Sequence, residues 1–241
     1  MPNPNHLLGS KPGRINIITF TGAHGTGKST LIAGLEEASD QADLGRVRKT
    51  PSCSTFWFQK YQQEARSAAR EIPQTYDDIN RLGLRDKMQG ELPGDLKDLV
   101  LDTFMEAIRR GLPGEQQLIL VDRWFGDIAT YTSLEMSEEK AEKYHELNFH
   151  FYNELISLLQ SGSERFNGEV YLTHVFIPLA ACAHAMPRGN EDGKMRATQP
   201  AVEWEQVYVH VNRYTPAERT VVISSPDRLC RVAEVFDGAL R

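Results

Sequence analysis

At 241 residues the chain is long enough for one large α/β domain with a sizeable core, and short for two. Lys and Arg number 27 against 33 Asp and Glu, and the net charge of −6 argues against an extended nucleic-acid-binding surface while leaving room for a small basic site. Three cysteines without a Cys-x-x-Cys spacing give neither a disulfide framework nor a zinc signature, and no apolar run is long enough to span a bilayer.

Residues 1–13 hold Pro, Asn, Gly and Lys but no apolar stretch, so they read as a flexible tail and not as a signal peptide. A single domain over 14–241 follows, and its reduced thiols suit a cytoplasmic protein. The run Ile-Asn-Ile-Ile-Thr-Phe at 15–20 is β-branched and apolar, the pattern of a buried strand. Gly22-Ala-His-Gly-Thr-Gly-Lys-Ser29 comes next and matches G-x-x-x-x-G-K-[ST], the loop that cradles phosphates. Leu31, Ile32 and Leu35 then fall at helical spacing. A strand, a glycine-rich turn and a helix start make an anion site, because backbone N–H groups converge there and the helix dipole adds positive charge.

Each residue type has a physical task in such a loop. Gly22, Gly25 and Gly27 admit positive φ and close approach of the backbone to phosphate. Ala23, His24 and Thr26 occupy its free positions, Lys28 is a point charge for the outer phosphates, and Thr30 adds a hydroxyl in the first helical turn. The Ser29 hydroxyl suits Mg²⁺. The expected ligands are therefore ATP and Mg²⁺.

Farther along, 46–50 predicts a short second strand, leading into an aromatic run with Phe56, Trp57 and Phe58, which are candidates for base stacking or for the core. From Gly94, the apolar positions Leu96, Leu99, Val100, Phe104, Ala107 and Ile108 predict an amphipathic helix with Asp95 at its start and Gly111 at its end. A buried strand at 117–122 ends in Asp122, followed at once by Arg123. A carboxylate at that strand end sits where a phosphate-bound metal needs neutralising. Arg123 is the group best suited to grip an anionic oxygen. Asp127 and Tyr131, four residues apart, share a helix face beyond it and are candidates to read an acceptor's base or sugar.

The spacing then predicts a long helix over 136–160, a strand over 169–179 and a helix from Pro200 carrying Trp204, Tyr208, Val211 and Tyr214 on one face. A last strand at 219–224 and a closing helix over 226–240 complete the chain. The whole reads as a parallel sheet of about five strands with helices on both faces, ligands at the strands' C-terminal edge. This is an α/β P-loop NTPase fold.

The phosphate loop together with Asp-Arg-Trp-Phe-Gly-Asp-Ile-Ala-Thr-Tyr at 122–131 resembles the thymidylate-kinase-like nucleotide and nucleoside kinases. It is also similar to the compact P-loop family that includes nicotinamide-riboside kinase domains and many viral deoxynucleotide kinases. Matching motifs cover about a third of the chain. The resemblance implies phosphoryl transfer from Mg²⁺-ATP to a small nucleoside or nucleotide, and it admits a homodimer. It also implies a lid over about 184–199, where Arg188 and Arg196 would neutralise charge during transfer and exclude water.

One departure bears on the acceptor. Many nucleoside kinases carry a Glu just after the second strand as a base for the 5′-hydroxyl. Here Arg48-Lys-Thr-Pro-Ser-Cys-Ser54 is basic and rich in hydroxyls, with no carboxylate. Arg48 joins Arg123, Asp127 and Tyr131 as a candidate acceptor contact. The turn favours a (deoxy)nucleoside monophosphate, which is already anionic and needs no strong base. A nucleoside or nicotinamide-riboside-type kinase is the first alternative. A nucleotide-dependent ATPase switch and a polynucleotide kinase, with Arg46, Arg48 and Lys49 on a backbone, are the others. No Asn-Lys-x-Asp motif is present, which disfavours a GTPase.

Overall fold

The computed structural model describes residues 13–23, 26–41, 47–111, 115–166, 168–178, 199–215 and 220–222. The element order is β1 (Arg14–Thr21), α1 (Lys28–Gln41), β2 (Val47–Lys49), α2 (Cys53–Ser67), α3 (Tyr76–Arg81) and α4 (Arg85–Arg110). The chain continues through β3 (Gln116–Asp122), α5 (Phe125–Glu135), α6 (Glu138–Phe166), β4 (Glu169–Phe176), α7 (Gln199–Val211) and β5 (Thr220–Val222). Five parallel strands lie in the order β2-β3-β1-β4-β5.

β1 is central, and its apolar residues serve both faces, as a strand covered on both sides requires. Ile15 and Ile17 enter a core built with α2, α4 and α6 around Trp57, Phe104, Trp124 and Leu155. Ile18 and Phe20 face the other way, onto Leu31, Ile32 and Leu35 of α1. A third cluster joins Ala23 to Trp204 and Tyr208 of α7. The register levels the strand ends that matter: Phe20 pairs with Asp122 and Thr21 with Phe176. The turns after β1 and β3 therefore leave the sheet side by side.

Two helices run beyond their expected limits. α4 begins at Arg85, ahead of Gly94, and carries Pro93 inside it. Proline removes one backbone donor, but Met88, Leu92, Leu96 and Leu99 keep one buried stripe in phase across it, and that burial outweighs the lost bond. α6 extends to Phe166. The short α3 follows a capping box between Thr75 and Asp78, a signal passed over in the sequence. Phe56, Trp57 and Phe58 belong to the core: Trp57 is fully buried, stacks on Tyr61 at 5.4 Å and donates its indole N–H to Glu91 at 2.9 Å. Cys53 is a buried free thiol, its pKa pushed up by burial.

No helix among the described residues is long and apolar enough to cross a membrane. The tail over 1–12, His24, Gly25, Arg46, nearly all of the 184–199 segment with Arg188 and Arg196, and the closing helix over 226–240 lie outside the described residues.

Candidate functional site

The phosphate loop leaves β1 at a position only glycine tolerates. Gly22 has φ +148°, and a Cβ there would sit 2.6 Å from the Ile177 carbonyl oxygen at the end of β4. Gly27, with φ +81°, makes the second turn before α1. Thr26 ties the loop by donating to Ala23 O at 2.9 Å. Lys28, buried, donates through Nζ to Gly22 O at 2.6 Å and Ala23 O at 2.8 Å. Its ammonium is thus held inside the loop's own concavity, where a phosphate oxygen would take over from carbonyl oxygens. Thr30 is exposed on α1.

Across the turn, Ser29 Oγ donates to Asp122 Oδ2 at 3.0 Å, joining α1 to the end of β3. Asp122 Oδ1 is buried without a hydrogen-bond partner. Among the described residues no cluster of three or more His, Cys, Asp or Glu is arranged to hold a metal. A hydroxyl and one carboxylate with an unsatisfied oxygen fit a hard cation that shares its ligands with phosphates and water.

Arg123 follows Asp122 with φ +79°, a strained conformation for a side chain other than glycine, worth about 1–3 kcal/mol. The strain is over-determined locally. Arg123 N–H donates to Phe20 O at 2.9 Å, and the guanidinium donates to Tyr131 Oη at 3.1 Å while lying 3.9 Å from Asp127 Oδ1. Burial works against its charge, but Tyr131, Asp127 and Asp122 outweigh it and hold the guanidinium above its ordinary pKa. Asp127, 1% exposed, accepts from the Thr21 hydroxyl and, at 2.9 Å, from Trp124 N–H. Burial pushes its carboxyl above the usual carboxylate range, opposed by Arg123, Lys28, Thr21 and Trp124.

The structure thus brings Gly22, Ala23, Thr26, Gly27, Lys28, Ser29, Asp122, Arg123, Asp127 and Tyr131 to one sheet edge. Two of the candidate acceptor contacts face other partners. Asp127 faces Thr21 and Arg123 inside the protein. Arg48 is directed away from this edge: its Cα is level with Ile119, and its guanidinium donates to Gln117 Oε1 near the start of β3. Burial lowers its pKa, with Glu106, Arg110 and Glu115 as its charged neighbours.

Several residues at this edge escaped the sequence reading. Thr50 N–H donates to Leu120 O at 2.9 Å, extending the β2–β3 pairing, and its buried hydroxyl has no hydrogen-bond partner. Trp204 and Tyr208 of α7 stack at 4.9 Å and pack on Ala23 of the loop, with Phe176 on Tyr208 at 5.2 Å and Tyr131 beside Trp204 at 6.1 Å. Their helical spacing showed an apolar face, but nothing in the sequence indicated that the phosphate loop is what it covers.

No protein-family profile matches the chain, and no curated protein matches it in sequence. Among solved structures it is similar to the NadR protein in complex with NR, with a TM-score of 0.56 at 12% identity over 93% of this chain and 49% of that one. It is also similar to the NadR protein in complex with NAD and AMP-PNP, with a TM-score of 0.50 at 10% identity over 92% and 49%. The chain spans about half the length of these two proteins. At such identities the likeness is one of fold, and the chain has the α/β fold of the P-loop nucleoside and nucleotide kinases.

Proposed function

We propose that the chain is an ATP-dependent phosphotransferase acting on a small nucleotide, in the first place a (deoxy)nucleoside monophosphate. The observation that carries this reading is the Ser29–Asp122 contact at 3.0 Å, with the second Asp122 oxygen buried and unsatisfied, beside a phosphate loop and next to Arg123. A nucleotide analogue, AMP-PNP, is bound in one of the two proteins of similar fold, which supports a triphosphate here.

The residues divide the work. Gly22 to Thr30 hold the triphosphate through backbone N–H groups, and Lys28 exchanges its loop carbonyls for phosphate oxygens. Ser29 and Asp122 would hold Mg²⁺, which would supply charge neutralisation there. Arg123 grips the acceptor's anionic oxygen with a guanidinium kept charged by its neighbours. In the transfer, an acceptor phosphate oxygen bonds to the γ-phosphorus, the bond from that phosphorus to the β-phosphate oxygen breaks, and ADP leaves. The protein acts by positioning and by fixed charge. Arg188 and Arg196 would add charge from the lid. The turn after β2, Thr50-Pro-Ser-Cys-Ser, has no carboxylate to serve as a base, and an acceptor that is already anionic needs none.

The test is ³²P transfer from γ-labelled ATP with Mg²⁺ to nucleosides, ribo- and deoxynucleoside monophosphates, nicotinamide riboside and a short oligonucleotide. Labelled diphosphate from one monophosphate class is the expected result. Label on a nucleoside would shift the acceptor class, and label on the oligonucleotide would establish a polymer kinase. Free phosphate released at one rate whatever is added would replace the kinase with a nucleotide switch.

A further inference from the structure

Asp127 lies between Arg123 and a second row of buried side chains contributed by α7. Thr21, the last residue of β1, gives its hydroxyl proton to Asp127 Oδ2. The Tyr208 hydroxyl has Thr215, Thr21 and Asn212 as hydrogen-bonding neighbours and feels the Asp127 charge; burial first, then that charge, pushes its pKa up to about 12. Thr21 has one hydroxyl proton and spends it on Asp127, so Tyr208 is the donor in the Tyr208–Thr21 contact. Asn212 Nδ2 donates to Tyr208 Oη at 2.9 Å and steadies it from the next turn of chain.

An independent feature shows how α7 comes so close. Residue 126, beside Asp127 in the first turn of α5, is glycine. A Cβ there would lie 2.9 Å from Tyr208 Cε2 and 2.8 Å from Asn212 Oδ1. A side chain there would force the Tyr208 ring and the Asn212 side chain to shift.

We propose that Tyr208 is a positioning residue for Arg123, acting through Thr21 and Asp127. The hydroxyl of Tyr208 orients that of Thr21, which orients the Asp127 carboxylate, which faces the guanidinium at 3.9 Å. A buried chain of this kind strengthens each member and fixes its geometry. The consequence for acceptor use rests on the role given to Arg123 above; the consequence for the Arg123 side chain does not.

The test compares the wild type with Tyr208→Phe and Thr21→Val, each of which removes one hydroxyl at nearly constant shape. Val209→Ala, an exposed change on the same helix, is the control. The first readout is hydrogen exchange of the Arg123 Nε–H by ¹⁵N NMR, its signal identified by its loss in Arg123→Lys. Both hydroxyl deletions should speed that exchange about tenfold and the control should not. The second readout is steady-state kinetics, where kcat/KM for the acceptor should fall about tenfold with the KM for ATP unchanged. Wild-type exchange in the folded Tyr208→Phe and Thr21→Val variants would overturn the proposal; if one variant does not fold, the other decides alone. A wild-type protein that phosphorylates no acceptor overturns the kinase reading instead, and the exchange data still decide the role of Tyr208.

Discussion

Lys28, Ser29 and the glycines of the phosphate loop follow one another in the chain, whereas Arg123 is held by Phe20 from β1, by Asp127 and Tyr131 from α5, and through Asp127 by Thr21. One half of the site is a local motif; the other is assembled by the fold. A local motif forms whenever its strand and helix form, because Thr26 and Lys28 make hydrogen bonds within the loop itself, and it meets the other half where Ser29 donates to Asp122. The assembled half depends on register: Phe20 must be level with Asp122, and Gly126 must admit α7. Damage to the first half should therefore be a loss of chemistry with the fold intact, and damage to the second a loss of geometry.

The largest effect tests the local half. Lys28→Ala removes the point charge of the loop and should lower kcat/KM for phosphoryl transfer by about 10³-fold or more. Its melting temperature should stay close to that of the wild type, since water or a phosphate's shell can satisfy the loop carbonyls that Lys28 Nζ meets. Transfer at the wild-type rate would remove the phosphate loop from the mechanism.

Arg123→Ala probes the assembled half and comes second, at about 10²-fold on kcat/KM for the acceptor, read by varying acceptor at saturating ATP. ATP affinity, followed by fluorescence titration, should hold. Equal losses for donor and acceptor would erase the division between the two halves.

How much of this was legible follows the same division. The places of Gly22, Lys28 and Ser29 were readable because they follow from the spacing, and that of Asp122 because a strand that pairs with β1 ends at the same sheet edge. Asp127 was visible only as a helix-face residue; that it turns inward to Thr21 depends on how α5 leaves β3. Tyr208 was read as one of an apolar row, which it is, but its hydroxyl matters through a neighbour more than 180 residues away in the chain. The contact of Arg48 with Gln117 was not readable, because a short strand shows its sequence position and not the direction its side chain takes. Pro93 hid the first turns of α4, since local propensity argues against what buried Leu92 and Leu96 enforce.

A pH experiment reaches the scaffold under the assembled half. His145 of α6 touches α5 through Nε2, at 3.1 Å from Ala129 O and 3.0 Å from Ser133 Oγ. Burial lowers its pKa, with Arg213 adding to the shift and the Ala129 contact opposing it. A base with a depressed folded pKa is neutral in both states above its ordinary value of about 6.5, and below it the unfolded chain takes up the proton first. Stability should therefore decline as pH falls below about 6.5. Urea melts of wild type and His145→Gln between pH 7 and pH 5 measure it; an equal slope in both would clear His145 of the effect.

The smallest expected effect is the sharpest check on which residues belong to the site. Arg48 lies level with Ile119, three residues short of Asp122, and its guanidinium reaches back to Gln117. Three residues of strand are about 10 Å, longer than the Debye length of about 8 Å at physiological salt. An acceptor phosphate gripped by Arg123 would feel little of so distant a charge. Arg48→Ala should leave the acceptor KM within about twofold, and its cost in stability should stay near 1 kcal/mol, the worth of one part-buried hydrogen bond. Repeating the KM measurement at low ionic strength makes the argument stricter, because screening then no longer protects it. A KM that rises tenfold even at physiological salt would mean that the bound acceptor extends along β2, and that the assembled half of the site is larger than the edge between β1 and β3.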